Sequence, residues 1–129
     1  MNRWLFALVG FPALLRAVAR ARSTSALPID ERVARLREAP AFRSAALRDP
    51  GRWSGYVARV ARLLPVDGGP CLKRSLVLLD LHARCGLEPR LALAFRPDSS
   101  GSGDGHAWLT TDDGPRRAAE GVWEPITIL

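Results

Sequence analysis

Apolar positions recur at helical spacing through the first two thirds of the chain and give way to alternation after it. From Trp4 to Leu15 almost every residue is apolar, interrupted by Gly10 and Pro12, and Arg16 and Arg20 then stand one helical turn apart. That pattern predicts an amphipathic helix, packed or interfacial, which ends in the small-residue and proline stretch 23–28. Asp30 is placed to cap a short second helix in which Val33 and Leu36 share a face and which Pro40 closes. A short helical stretch over 42–47 runs into an Asp49-Pro50-Gly51 turn. Tyr56, Val57, Val60, Ala61 and Leu64 then recur at helical spacing, with Arg59 and Arg62 facing away.

After a rigid loop over 65–70 comes the strongest helical pattern, residues 71–85. Leu72, Leu76 and Leu79 run along one row, Val77 and Leu81 along another, and Gly86 stands where a C-cap glycine belongs. Leu91 to Phe95 alternates large and small side chains, as a strand does. A polar loop over 99–105 follows. Residues 106–111 and 116–120 read as two strands around Asp112-Asp113-Gly114. No internal repeat is present. The expected class is α+β. Residues 1–65 form the helical part and 66–129 the strand-bearing core of one domain.

A length of 129 residues fits that single domain, and 47% hydrophobic with 25% charged residues excludes wholesale disorder. Two cysteines exclude a disulfide-dense scaffold, and two histidines leave no convincing zinc-ligand cluster, so neither metal nor cofactor is expected. The net charge of +6 comes almost wholly from arginine, Lys73 being the only lysine. Such a balance favours anionic partners. The arginines are spread evenly with no basic-aromatic motif, which argues against nucleic acid. The apolar run 4–15 falls short of the roughly 20 residues a bilayer span needs, and residues 17–21 resemble a signal-peptidase site only loosely. A helix of the folded domain is therefore preferred to a cleaved signal or an anchor. The expectation is a cytoplasmic protein without stable membrane insertion, its thiols reduced.

Candidate chemistry gathers on three positions. Cys71 follows Gly68-Gly69-Pro70 and opens the best helix, where the free amides and partial positive charge of a helix N-terminus favour a thiolate. The competing reading is a small buried hydrophobe. Cys85 lies 14 residues further along that helix, about 21 Å away, at the negative end of the dipole, so it reads as structural. His82 returns to the face of Cys71 but about 16 Å from it, which leaves His106 as the histidine able to fold back onto Cys71. A three-residue turn over Asp112, Asp113 and Gly114 pairs Thr111 with Pro115 and, counting outward, His106 with Glu120. A carboxylate there would orient the imidazole. Asp112 and Asp113 remain as alternatives, and Glu120 as a solvated surface residue is the competing reading.

The stretch Pro70-Cys71-Leu72-Lys73-Arg74-Ser75-Leu76, a helix ending at Gly86, a strand, and His106-Ala107-Trp108 resemble the transglutaminase-like superfamily. Within it the likeness is to the leader-peptide-cleaving proteins of lasso peptide biosynthesis, the protease half of a split maturation protein, and covers about residues 53–126. The resemblance implies a papain-like fold, with the nucleophile at a helix N-terminus packed on a small antiparallel sheet. It implies a Cys-His-acid peptidase with Cys71 as nucleophile and His106 as general base. The acid in such proteins commonly lies about a dozen residues past the histidine, and Glu120 lies 14 past it. Arg74 and Trp108 also match the pattern, as substrate-binding residues or as packing around the site. The implied partners are a precursor peptide, a separate winged-helix leader-recognition protein and a cyclase that closes the released amine into a ring. A catalytically silent scaffold and an acyl-transferring or crosslinking enzyme are the rival readings.

Overall fold

The computed structural model describes residues 1–97, 103–112 and 125–129. Four helices precede a small antiparallel sheet: α1 (Arg3–Ser23), α2 (Ile29–Arg37), α3 (Pro50–Val60), α4 (Pro70–Arg84), β1 (Leu91–Pro97), β2 (Gly103–Leu109) and β3 (Pro125–Ile128). The α+β class expected from the sequence is the class observed.

Asn2 caps α1 by accepting the Leu5 N–H at 2.8 Å. The helix does not break at Gly10 or Pro12. Pro12 sits on the exposed side, where the carbonyl it leaves unpaired faces water. Gly10 is buried against Trp53, and a Cβ there would lie 2.7 Å from the indole. Being continuous, α1 spans 21 residues and is long and apolar enough, by length and composition, to cross a membrane. This corrects the shorter span read from the sequence. One face of it is nevertheless committed to the fold through Phe6, Leu14, Ala17, Val18 and Ala21.

Other boundaries also shift. α2 begins at Ile29 with Pro28 at its cap, so Asp30 lies in the first turn instead of capping it. The stretch 42–47 is helical only as a 3₁₀ turn over Ala45–Leu47. Asp49 is not in a turn but caps α3, accepting the Arg52 N–H at 3.2 Å, with Pro50 at the first helical position. α3 ends at Val60, and Ala61–Leu63 continue it as a 3₁₀ turn. Gly86, with φ of +88°, follows the end of α4 as expected.

α4 is the centre of the fold. It lies against α1, α2, α3 and β2, and every residue from Ser75 to His82 is buried. Asp80 within that stretch is neutralised by two arginines, Arg20 from α1 and Arg84 at 2.7 Å from its own helix. Trp53 is fully buried between Phe6, Phe42 and Tyr56, and its indole N–H donates to the Leu47 carbonyl at 2.7 Å. One core cluster takes in Leu14, Val33, Trp53, Leu76, Leu91 and Leu109, so helical and strand-bearing parts share it.

The sheet order is β2-β1-β3. β1 pairs with β2 through Leu91↔Leu109, Leu93↔Ala107 and Ala94↔His106. On its other side Leu91 and Leu129 exchange both backbone hydrogen bonds, at 3.0 and 2.7 Å. Leu91, Ala107 and Leu109 join the main core, whereas Ala92, Ala94 and Trp108 form a second buried cluster on the opposite face. His106 does not open its strand but stands fourth in it. The strand ends at Leu109, where a turn closes through the Asp112 N–H to the Leu109 carbonyl, earlier than the expected turn at Asp112. The strand expected over 116–120, with Glu120, and Asp113 lie outside the described residues.

Candidate functional site

The approach to α4 is shaped by backbone. Gly68 adopts φ of +96°, and a Cβ there would meet the Leu72 side chain at 2.9 Å. Gly69 caps the helix and Pro70 takes its first position. The Lys73 N–H closes the first helical bond onto Gly69. Cys71 and Leu72 therefore present amides that no intrahelical acceptor uses. Cys71 is exposed, which removes the reading of it as a buried small hydrophobe.

His106 comes from the sheet. Its ring is half-buried and tilted against Trp108 with centroids 5.4 Å apart, and burial holds its pKa below the ordinary histidine value. A neutral imidazole at neutral pH is a proton acceptor. Cys71 and His106 line the same cavity, of about 270 Å³, whose other walls include Leu72, Leu93, Ala94 and Ala107. The exposed thiol at the helix N-terminus and the half-buried imidazole thus face one largely apolar cleft.

The remaining sequence candidates divide. Trp108 is buried with Ala92 and Ala94 and its ring lies against that of His106, two residues away on β2, without lining the cavity. Arg74 does not line the Cys71 cavity. Its Nη2 pairs with the buried carboxylate of Asp112 at 3.0 Å, beside a second cavity bordered by Ser54 and Thr111. Asp112 is thereby engaged away from the cleft that Cys71 and His106 share. His82 is fully buried and structural: its Nδ1 lies 2.6 Å from Thr111 Oγ1, and its Nε2 lies 3.2 Å from the Pro50 carbonyl. Cys85 is half-buried, its thiol pushed up to about 12 by burial and by the Asp49 charge. Among the described residues no cluster of histidine, cysteine and carboxylate could hold a metal ion.

Two supports of the site escaped sequence reasoning. Ser75, one turn beyond Cys71, is buried and donates to the Ala107 carbonyl at 3.4 Å, joining α4 to β2 next to His106. The available signal was a lone small polar residue opening an apolar buried run. Arg32 is buried in α2 and pairs with Asp67 in the loop before α4. Nothing local announced that contact, which joins residues 35 positions apart.

The sequence model of the transglutaminase-like superfamily matches residues 7–126, reaching well beyond the stretch that carries the motif likeness. Comparison with curated proteins and with solved structures returns no match.

Proposed function

The chain belongs to the transglutaminase-like superfamily, and on that premise we propose that it is a cysteine peptidase. Its task is to remove the leader from a ribosomally made precursor during lasso peptide maturation. The observation that supports this reading is the single cavity lined by an exposed Cys71 and a half-buried His106. His106 takes the thiol proton, and the Cys71 sulfur attacks the scissile carbonyl. The unused Cys71 amide donates to the oxyanion that forms. His106 then returns its proton to the leaving amine, and water, deprotonated by His106, releases the acyl-enzyme. Glu120 is the proposed orienting acid and Trp108 steadies the His106 ring, while Arg74, paired with Asp112, packs beside the site instead of binding substrate in the cleft. The motif likeness supports a separate winged-helix protein as the reader of the leader and a cyclase as the user of the released amine.

Mass spectrometry of a synthetic precursor incubated with the protein and its winged-helix partner tests the proposal. Wild type yields free leader and core, the partner accelerates the cut, and Cys71→Ala yields neither fragment. Cleavage by Cys71→Ala sinks the assignment. Transfer of an added amine onto the acyl group without hydrolysis makes the enzyme a transferase instead.

A further inference from the structure

The first helix carries an apolar surface that the fold does not use. Among the described residues Trp4, Leu5, Leu8, Val9, Phe11 and Leu15 are all exposed, Trp4 at 76% and Leu8 at 74%. At 100° per residue they spread over roughly 160° of the α1 surface. They lie opposite Phe6, Gly10, Leu14 and Ala17, which face the fold. A contiguous apolar face of this kind on a folded domain marks a docking surface.

Charge selects the occupant. Residues 1–29 contain Arg3, Arg16, Arg20 and Arg22 and no acidic residue. Arg20 is committed to Asp80, whereas Arg3, Arg16 and Arg22 are exposed at the two ends of the apolar face. A second copy of α1 laid antiparallel would bring Arg3 against Arg16 and Arg22, and a parallel one would stack like on like. The face is also wider than the two-per-heptad seam that a partner helix covers. Arg3 lies over the Trp4 ring at 5.3 Å, which places an aromatic and a cation together at the edge of the face. Tryptophan, leucine and phenylalanine on one side with arginines at the margin suit a bilayer interface with anionic headgroups.

We propose that α1 docks the domain onto an anionic lipid surface. It lies in the interface plane, with Trp4, Leu8, Phe11 and Leu15 among the upper acyl carbons and Arg3, Arg16 and Arg22 at the phosphates. The inner face of α1 stays on α3 and α4, so the helix lies on the bilayer and does not cross it.

Flotation with vesicles tests this, using equal parts phosphatidylcholine and phosphatidylglycerol against phosphatidylcholine alone. The protein floats with the anionic vesicles and not with the zwitterionic ones. Arg16→Gln with Arg22→Gln lowers partitioning about fivefold per arginine. Leu8→Asp with Phe11→Ser abolishes flotation while the thermal unfolding curve is kept. These positions are exposed, and the arginine pair serves if the apolar pair does not fold. Absence of flotation, or equal flotation with both vesicle types, overturns the proposal. So does a lipid-free dimer in sedimentation velocity that Leu8→Asp converts to monomer, since a second copy would then cover the face.

Discussion

The guanidinium of Arg32 meets the carboxylate of Asp67 through both terminal nitrogens, at 3.1 and 2.6 Å, while its Nη2 and Nε also donate to the Ala21 carbonyl and to Thr24 Oγ1. One buried side chain thus ties the ends of α1 and α2 to the loop that delivers Cys71. The hydrogen bond from Arg32, more than anything else, holds the Asp67 carboxyl below its ordinary pKa. Arg32→Met should cost about 2–4 kcal/mol in urea unfolding, because it strips several hydrogen bonds from buried groups. Asp67→Asn, whose side chain is half-exposed, should cost under about 1 kcal/mol yet still lower kcat by loosening the loop. Equal stability losses in the two variants would show that the loop contact, not the burial of Arg32, carries the energy.

The two thiols should separate by alkylation. With its thiol pushed up to about 12, Cys85 is thiolate in about one molecule in ten thousand at pH 8, and Leu47 further occupies it. Exposed Cys71 should react with iodoacetamide at least about a hundredfold faster in the folded protein. Peptide mapping after brief exposure reads the ratio. Comparable labelling would mean that α4 opens on the time of the experiment.

Gly10→Ala should destabilise the protein by about 1–3 kcal/mol, although alanine is the better helix former. The added methyl would sit 2.7 Å from an indole fixed between Phe6, Phe42 and Tyr56. Thermal unfolding measures the loss. Gly69→Ala meets nothing within 4 Å and should leave the melting temperature almost unchanged.

Both histidines predict weakness in acid. His82 Nε2 lies 3.1 Å from Ser54 Oγ and 3.2 Å from the Pro50 carbonyl, and Nδ1 lies 2.6 Å from Thr111 Oγ1, so the fold occupies both ring nitrogens. Burial lowers the His82 pKa below 6.5, so between that folded value and 6.5 the unfolded chain binds more protons than the folded one. Stability should therefore be full above about 6.5 and fall as the pH drops below it. His82→Gln should flatten that dependence in a series of melts. For His106, also lowered by burial, the acid limb of kcat/KM should have its midpoint below 6.5. A midpoint above 6.5 would contradict a base desolvated in the cleft.

Patterns confined to one element were legible in the sequence. The apolar rows of α4, the glycine after it and the alternation of β1 depend on neighbours a few residues away. So does the placing of Cys71 at a helix start, and the separation of His106 from His82 follows from helix rise alone. What depends on contact across the chain was not legible. The continuity of α1 rests on Trp53 filling the space beside Gly10. Asp49-Pro50 serves equally in a turn and at a helix start, and packing of Trp53 and Val57 decided for the helix. The pairing of Arg74 with Asp112 joins α4 to the end of β2, and the partner of β1 on its far side arrives from residues 125–128. Each of those contacts is a tertiary choice that no local period encodes.

The burial of α4 on four sides has a consequence for how the protein fails. An element shared by every neighbour cannot open by itself, so the amides of its buried stretch, Ser75 to His82, should exchange with deuterium only through global unfolding. Cys71 rides on that element. Partly unfolded molecules with a working cleft should then be scarce, and residual activity during denaturation should report the fraction of chains still native.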